Sequence, residues 1–151
     1  RKTRSKRKVD MPKEEFPEIE LQKLILAAPK RVFAALIDPR DLQRWHHAGD
    51  WTTPSAEVDA REGGKIRIAY ADPQGETQFH LIGEIEVYDP PRELNYRLDD
   101  GRLVRIMLED QGDKTLVQMR IDAEPQTKLE YQIQGWGAHL DNLAQYLNNE
   151  E

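Results

Sequence analysis

The longest helical pattern in the sequence lies near its end, at residues 127–148. Apolar residues recur there in steps of three or four, the period of one helix face: Leu129, Ile133, Trp136, Leu140, Leu143 and Leu147. Thr127 and Glu130 have the spacing of a capping box, in which the two side chains accept free N–H groups of the first turn. The pattern predicts an amphipathic helix that covers one face of a sheet.

Two glycines, Gly135 and Gly137, flank Trp136 inside this predicted helix. A glycine in a helix interior costs about 1 kcal/mol relative to alanine, so it usually has a packing or functional reason. Two explanations stay open. Either the helix packs closely against a sheet, or the glycines leave room for a cavity beside the indole.

The rest of the chain predicts one strand, two short helices and about six further strands. Residues 19–26 are rich in aliphatic side chains and read as a strand, and Pro29 is well placed to open a first helix. Asp38-Pro39 separates that helix from a second one that ends at Trp45. Between residues 56 and 122, short segments alternate apolar and polar positions and are divided by Gly-, Pro- and Asp-rich turns.

Helices placed apart from a run of strands at hairpin spacing indicate an antiparallel α+β domain. The terminal helix is the only predicted element large enough to cover the apolar face of the sheet. We expect a strongly curved antiparallel sheet wrapped around this helix, with a concave pocket between the two.

Apolar and amphipathic side chains assigned to the interior are candidates for lining that pocket. The candidate ligand-binding residues are Trp45, Tyr70, Phe79, Tyr96, Met107, Met119, Trp136, His139 and Leu140. Tyrosine and tryptophan combine an apolar ring with a hydrogen-bonding tip, and methionine adapts its shape cheaply. Each of these residues would serve equally well in an ordinary core. The strand at residues 103–109 is apolar on both faces, so its pattern leaves the face of Met107 open.

The chain has 151 residues, which predicts one domain, at residues 17–151, after a basic segment at residues 1–16. Six of the 22 basic residues lie in the first eight positions, so the remainder carries 16 basic residues against 28 acidic ones. We interpret the segment as a disordered tail, or as an addition before a natural start at Met11. Nucleic-acid binding is not expected, because the acidic remainder would repel phosphates.

Composition narrows the remaining function classes. The sequence has no cysteine, which excludes disulfides, thiolate chemistry and zinc-cysteine sites and fits a cytoplasmic protein. No apolar run reaches the roughly eighteen residues of a membrane span. Phosphate-binding and dinucleotide-binding glycine patterns are missing, as is a nucleophile elbow. We therefore expect no cofactor and no catalytic serine. We also expect the protein to be a monomer or a weak homodimer.

The four histidines are the remaining candidates for chemistry. His46 and His47 are adjacent, which is poor spacing for sharing one metal, and we interpret them as a surface pair in a loop. His80 falls on the strand face opposite Phe79, so we expect it to be solvated. His139 lies at the edge of the terminal helix, near the predicted cavity. We predict no metal site.

Three blocks of the sequence stand in a characteristic order and spacing. They are Pro29-Lys30-Arg31-Val32-Phe33 with Asp38-Pro39 and Leu42-Gln43-Arg44-Trp45; Gly63-Gly64 with Gly83-Glu84-Ile85, Tyr88 and Pro90-Pro91-Arg92-Glu93-Leu94; and Gly135-Trp136 with Leu140, Leu143 and Tyr146-Leu147. Together they resemble the helix-grip superfamily of START, polyketide-cyclase and birch-pollen-allergen domains, called SRPBCC. Within it, the sequence is most similar to the family named after the activator of the heat-shock protein 90 ATPase. The likeness spans residues 19–147. Many relatives carry a second tryptophan directly after the first, where this chain has His46.

The resemblance implies an internal apolar cavity, but members of the superfamily use it differently. We expect a domain that holds a small apolar or amphipathic molecule under the terminal helix, oriented by Tyr70, Tyr96 or His139. One alternative is a module that interacts with a chaperone or another protein partner. The other is a cyclase-type enzyme in which His139 or a buried tyrosine acts as acid or base.

Overall fold

The computed structural model of the protein describes residues 16–150. The predicted basic tail therefore lies outside the described residues, except for Phe16. The elements in chain order are β1 (Glu18–Ile25), α1 (Pro29–Ile37), α2 (Pro39–Trp45), β2 (Thr52–Val58), β3 (Lys65–Ala71), β4 (Thr77–Asp89), β5 (Glu93–Leu98), β6 (Leu103–Asp110), β7 (Thr115–Asp122) and α3 (Leu129–Asn148).

Across residues 16–150 the strands form one seven-stranded sheet in the order β1-β7-β6-β5-β4-β3-β2. Every neighbouring pair is antiparallel. The predicted α+β architecture, with two short helices after the first strand and a long helix at the end, is confirmed. None of the helices in this part of the chain is long and apolar enough to span a lipid bilayer.

The long helix α3 packs on the sheet with its C-terminal half. Its buried residues are Leu140, Leu143, Ala144 and Leu147. In the N-terminal half, Leu129 is 42% exposed and Ile133 is 40% exposed. Only part of the predicted apolar stripe is therefore buried, and the residues near the start of the helix remain exposed.

The predicted capping box at the start of α3 is wrong. The residue before the helix is Lys128, and it makes no side-chain capping bond. Instead Gln132 binds the preceding loop. Its Oε1 accepts the N–H of Glu124 at 2.7 Å, and its Nε2 donates to the Glu124 carbonyl at 2.8 Å. This amide fixes the loop that leads into α3.

Trp45 links the two short helices. Its indole Nε1 donates to the carbonyl oxygen of Ala35 in α1 at 2.9 Å, and the residue is buried. Asp38 caps α2 by accepting the N–H of Arg40 at 2.9 Å. Because α2 ends at Trp45, this packing also sets the position of the next residue, His46.

Candidate functional site

A cavity of about 360 Å³ lies between β3, β4 and the N-terminal half of α3, and we call it the outer pocket. Its walls are mostly apolar and aromatic, with Trp51, Tyr70, Phe79, Leu81, Leu98 and Trp136 among them. Asp99 and Arg102 contribute charged groups, and His46 and His139 contribute imidazole rings. The pocket is thus amphipathic.

A second space of about 20 Å³, the inner void, lies deeper between the sheet and α3. It has room for about one water molecule. Trp45, Tyr96, Met119 and Leu140 line it, together with aliphatic core residues. Three side chains line both spaces: His46, Trp136 and His139. These three separate the outer pocket from the inner void.

The structure distributes the predicted site residues over these two spaces. Tyr70 and Phe79 line the outer pocket, Trp136 and His139 line both, and Trp45, Tyr96, Met119 and Leu140 line the inner void. Met107 lies apart from both. It pairs with Gln118 on the outer face of the sheet and lines a surface groove with Glu20 and Arg120.

Phe79 is the most exposed of the candidate residues, at 55%. It pairs with Tyr70 across β3 and β4, and the two ring centroids are 5.1 Å apart. The ring centroid of Trp51 lies 5.5 Å from that of Phe79. Three aromatic rings therefore form a continuous wall that reaches from the buried inner end of the pocket to solvent.

His46 is the residue that the sequence interpretation missed. We expected a surface histidine in a loop, but its side chain is 4% exposed, and its Nδ1 lies 2.8 Å from the hydroxyl oxygen of Tyr70. The backbone N–H of His46 still bonds to Leu42, so the chain continues the turn of α2 and directs this ring inward. The tryptophan that many relatives carry at this position was the available signal, since it indicates a site for a large buried side chain.

His139 lies on the face of α3 that looks toward His46. The two ring centroids are 4.7 Å apart, and the Tyr70 centroid lies 6.1 Å from that of His139. His139 Nδ1 is 2.7 Å from the carbonyl oxygen of Gly135. A carbonyl can only accept, so Nδ1 carries the hydrogen and Nε2 of the neutral ring is an acceptor. Among residues 16–150 this buried Nε2 has no hydrogen-bond partner.

Burial keeps this cluster uncharged near neutral pH. Desolvation lowers the pKa of His46 well below its ordinary value, and the nearby His139 and His47 lower it further. Desolvation also lowers the pKa of His139, against the opposing effect of its bond to a backbone carbonyl. Burial raises the pKa of Tyr70 well above its ordinary value. The inner end of the outer pocket therefore offers neutral hydrogen-bonding groups.

The partners of the two buried histidines are neutral groups. Within the described part of the chain, neither His46 nor His139 is hydrogen-bonded to a carboxylate that would orient it as a base. The same residues contain no group of three or more histidine or carboxylate side chains that could hold a metal ion.

The space around Gly135 and Gly137 is open. Apart from the helix backbone and the residues next to each glycine, a Cβ atom built on either one would meet no described heavy atom within 4 Å. Close packing against the sheet therefore does not explain these glycines.

The chain is similar in sequence and in fold to known proteins. The family model described as "Activator of Hsp90 ATPase homolog 1-like protein" matches residues 26–148. An AHSA1-like protein from Aeromonas hydrophila is 29% identical, with a TM-score of 0.81 over 89% of this chain and 98% of its own. The protein Chr148 from Cytophaga hutchinsonii is 28% identical, with a TM-score of 0.74 over 87% and 92%. CalU16 from Micromonospora echinospora, at 23% identity and a TM-score of 0.63 over 87% and 76%, shares the fold. No curated protein matches the sequence.

Proposed function

We propose that this chain, which belongs to the activator of Hsp90 ATPase homolog 1-like family within the SRPBCC helix-grip superfamily, is a binding protein. Its ligand is a small apolar or amphipathic molecule. The binding site is the outer pocket. The observation that supports this best is the aromatic wall, which includes a phenylalanine that is 55% exposed. Covering such surface stabilises a complex by roughly 25 cal/mol per Å² of apolar area.

The size of the pocket also fits this function. Sites for small molecules typically enclose roughly 300–1,000 Å³. The outer pocket, at about 360 Å³, lies at the lower end of that range, whereas the inner void of about 20 Å³ is too small for any organic ligand. The bound molecule therefore lies beside Phe79 and Trp51, with one end toward His46 and His139.

A ligand panel tests this proposal on the full chain. Fatty acids, sterols, flavonoids and aromatic polyketides are titrated while thermal unfolding and backbone amide NMR signals are followed. We expect a saturable rise in Tm for at least one class, with amide shifts centred on Trp51, Tyr70 and Phe79. A panel that leaves both the amides and the Tm unchanged would contradict the proposal.

A pair of tryptophan variants shows where the ligand binds. Ala48→Trp places an indole in the outer pocket, which Ala48 lines. Gln145→Trp adds the same side chain at an exposed position near the other end of α3. We expect the first variant to weaken ligand binding at least tenfold and the second to leave it unchanged. Equal binding by both variants would mean that the ligand lies elsewhere.

A second candidate function is that of a protein-interaction module, as the family description suggests. The first turns of α3 favour it, because Leu129, Tyr131 and Ile133 are 42%, 58% and 40% exposed. Such a module would change the ATPase rate of an Hsp90 chaperone, and Ile133→Gln would remove the effect. The ATPase rate, measured with the purified chaperone, separates this function from ligand binding.

A further inference from the structure

We propose that the inner end of the outer pocket recognises a neutral hydroxyl group, carried by an aromatic or alicyclic molecule, through His139 Nε2 as acceptor and the His46–Tyr70 pair as donor. This inference rests on the proposed function and names the class of molecule that the pocket takes. Three observations support it: an unpaired buried acceptor, a spare donor hydrogen, and the close approach of the rings that carry them.

The acceptor is His139 Nε2. The other ring nitrogen bonds to the carbonyl of Gly135, which fixes the tautomer and leaves Nε2 with a free lone pair. Among the described residues this atom is buried without a partner. A buried acceptor without a hydrogen bond is costly, so a ligand that donates to it gains more than it would at a solvated site.

The donor comes from the bond between His46 and Tyr70. A neutral imidazole carries one N–H and a tyrosine carries one O–H. Their 2.8 Å contact uses one of these two hydrogens and leaves the other available. If Tyr70 donates to His46 Nδ1, the free hydrogen is on His46 Nε2. If His46 Nδ1 donates to Tyr70 instead, the free hydrogen is the hydroxyl hydrogen of Tyr70. Either arrangement presents one donor.

The rings that carry the acceptor and the donor lie close together at this end of the pocket. The rings of His46 and His139 are 4.7 Å apart between centroids, and those of Tyr70 and His139 are 6.1 Å apart. A hydroxyl group both donates and accepts, so it satisfies both sides at once. A carboxylate, an ether or a ketone has no hydrogen to give to Nε2, and an anion would also lose its solvation in a neutral, apolar site.

Access to Nε2 requires a small movement of the rings that cover it. Trp136 is the best placed to move, because its ring centroid lies 5.8 Å from that of His139 and it is only half-buried. Gly135 and Gly137, on either side of it, have no side chains that would restrict the indole. The bound ring then stacks among Trp136, Phe79 and Tyr70, with its hydroxyl at the histidines.

Three matched probes test the inference on the full wild-type chain: 2-naphthol, 2-methoxynaphthalene and naphthalene. All three present the same apolar ring system, but only 2-naphthol can donate a hydrogen bond. We expect NMR titrations to give a Kd for 2-naphthol about tenfold or more below those of the other two, the ratio that corresponds to one buried hydrogen bond. The ring ¹⁵N signal of His139 Nε2 should shift with 2-naphthol alone.

The outcomes separate this inference from the proposed function. If the three probes bind with equal affinity, the pocket binds apolar molecules but the hydroxyl inference is overturned. If none of them binds and the wider panel is also negative, the proposed function fails with it.

A histidine pair then locates the contact. His139→Leu should raise the Kd of 2-naphthol to that of 2-methoxynaphthalene while naphthalene binding persists. His47→Leu removes a histidine that lines neither the outer pocket nor the inner void, and it should keep the preference. A preference for 2-naphthol that survives in His139→Leu would assign the hydroxyl contact to another residue. If His139→Leu does not fold, the wild-type comparison alone decides.

Discussion

The Nδ1 atom of His46 lies 2.8 Å from the hydroxyl oxygen of Tyr70, and both side chains are buried, at 4% and 6% exposure. The contact joins the residue that follows α2 to the C-terminal end of β3. It places a polar pair at the inner end of an otherwise aromatic pocket. Because Trp45 is fixed to α1 through Ala35, the position of the neighbouring His46 follows from the packing of the two short helices.

Tyr70→Phe should destabilise the fold by about 1–3 kcal/mol, because it removes one partner and leaves His46 Nδ1 buried without a hydrogen bond. Urea unfolding at pH 7.5 measures this loss. Tyr131→Phe is the control, since Tyr131 is 58% exposed and its loss should cost no more than about 0.5 kcal/mol. Equal free energies of unfolding for the two variants would show that the buried contact contributes nothing.

The free energy of unfolding should fall as the pH is lowered from 7.5 toward 5. Burial lowers the pKa of both His46 and His139 in the folded state. In the unfolded chain these groups titrate near pH 6.5, so below that pH the unfolded state binds more protons and is favoured. Each histidine contributes at most about 1.4 kcal/mol per pH unit. Urea unfolding across this pH range measures the slope.

The variant His139→Gln tests whether the histidines cause the pH dependence of the free energy of unfolding. It removes one of the two buried protonation sites, so the free energy should change less steeply with pH. The carboxylates whose pKa is lowered, Asp38, Asp41 and Glu150, act in a separate window. Their stabilisation is complete above their ordinary pKa values near 4 and is lost only below them. A wild-type free energy that stays flat between pH 7.5 and 5.5 would contradict the assignment to the histidines.

Asp41 in α2 links the C-terminal end of α3 to α1 through hydrogen bonds and an ion pair. Its carboxylate accepts two bonds from Arg31, at 2.9 and 3.1 Å, and one from the hydroxyl of Tyr146. Arg31 also pairs with Glu150. The Asp41 side chain is 13% exposed and that of Glu150 is 37% exposed. The buried carboxylate should therefore matter more than the exposed one.

Asp41→Asn should cost about 1–3 kcal/mol, since it leaves Arg31 with one fewer charged acceptor in a partly buried site. Glu150→Gln should cost less than about 1 kcal/mol, and its effect should shrink further in 1 M KCl because exposed pairs are screened. Thermal and urea unfolding of both variants give the comparison. A larger loss for Glu150→Gln would reverse the assignment.

The fold could be predicted largely from local patterns. Alternation identified β3, β4, β5 and β7, turn residues on either side marked off β6, and helical periodicity identified α3, whose Leu140, Leu143 and Leu147 are buried. Leu129 and Ile133 continue the same pattern without being buried. Periodicity shows which residues share a face of a helix, but not how far the sheet extends beneath that face.

The candidate site could be predicted only in part. For Met107, a strand with apolar residues on both faces gave no preference, and its register with Gln118 places it on the outer face. For His46, two adjacent histidines after a helix indicated a surface loop, whereas the chain keeps turning and directs one of them inward. The division of the cavity by His46 and His139 depends on contacts between residues 93 positions apart in the sequence, which no local pattern contains.

Replacing either glycine beside Trp136 with alanine should stabilise the protein. In a helix interior, alanine is favoured over glycine by about 1 kcal/mol. Apart from the helix backbone and the adjacent residues, a Cβ at Gly135 or Gly137 would meet no described heavy atom within 4 Å, so we expect no clash to offset that gain. Gly83→Ala is the opposite control, because its Cβ would lie 2.8 Å from the carbonyl oxygen of Arg97 and should destabilise the sheet. A loss of stability in Gly135→Ala would mean that Trp136 or a neighbouring side chain occupies the space.

The same variant also tests whether ligand binding needs a flexible helix. A higher Tm together with weaker binding of 2-naphthol would show that the helix must bend at this point for a ligand to enter.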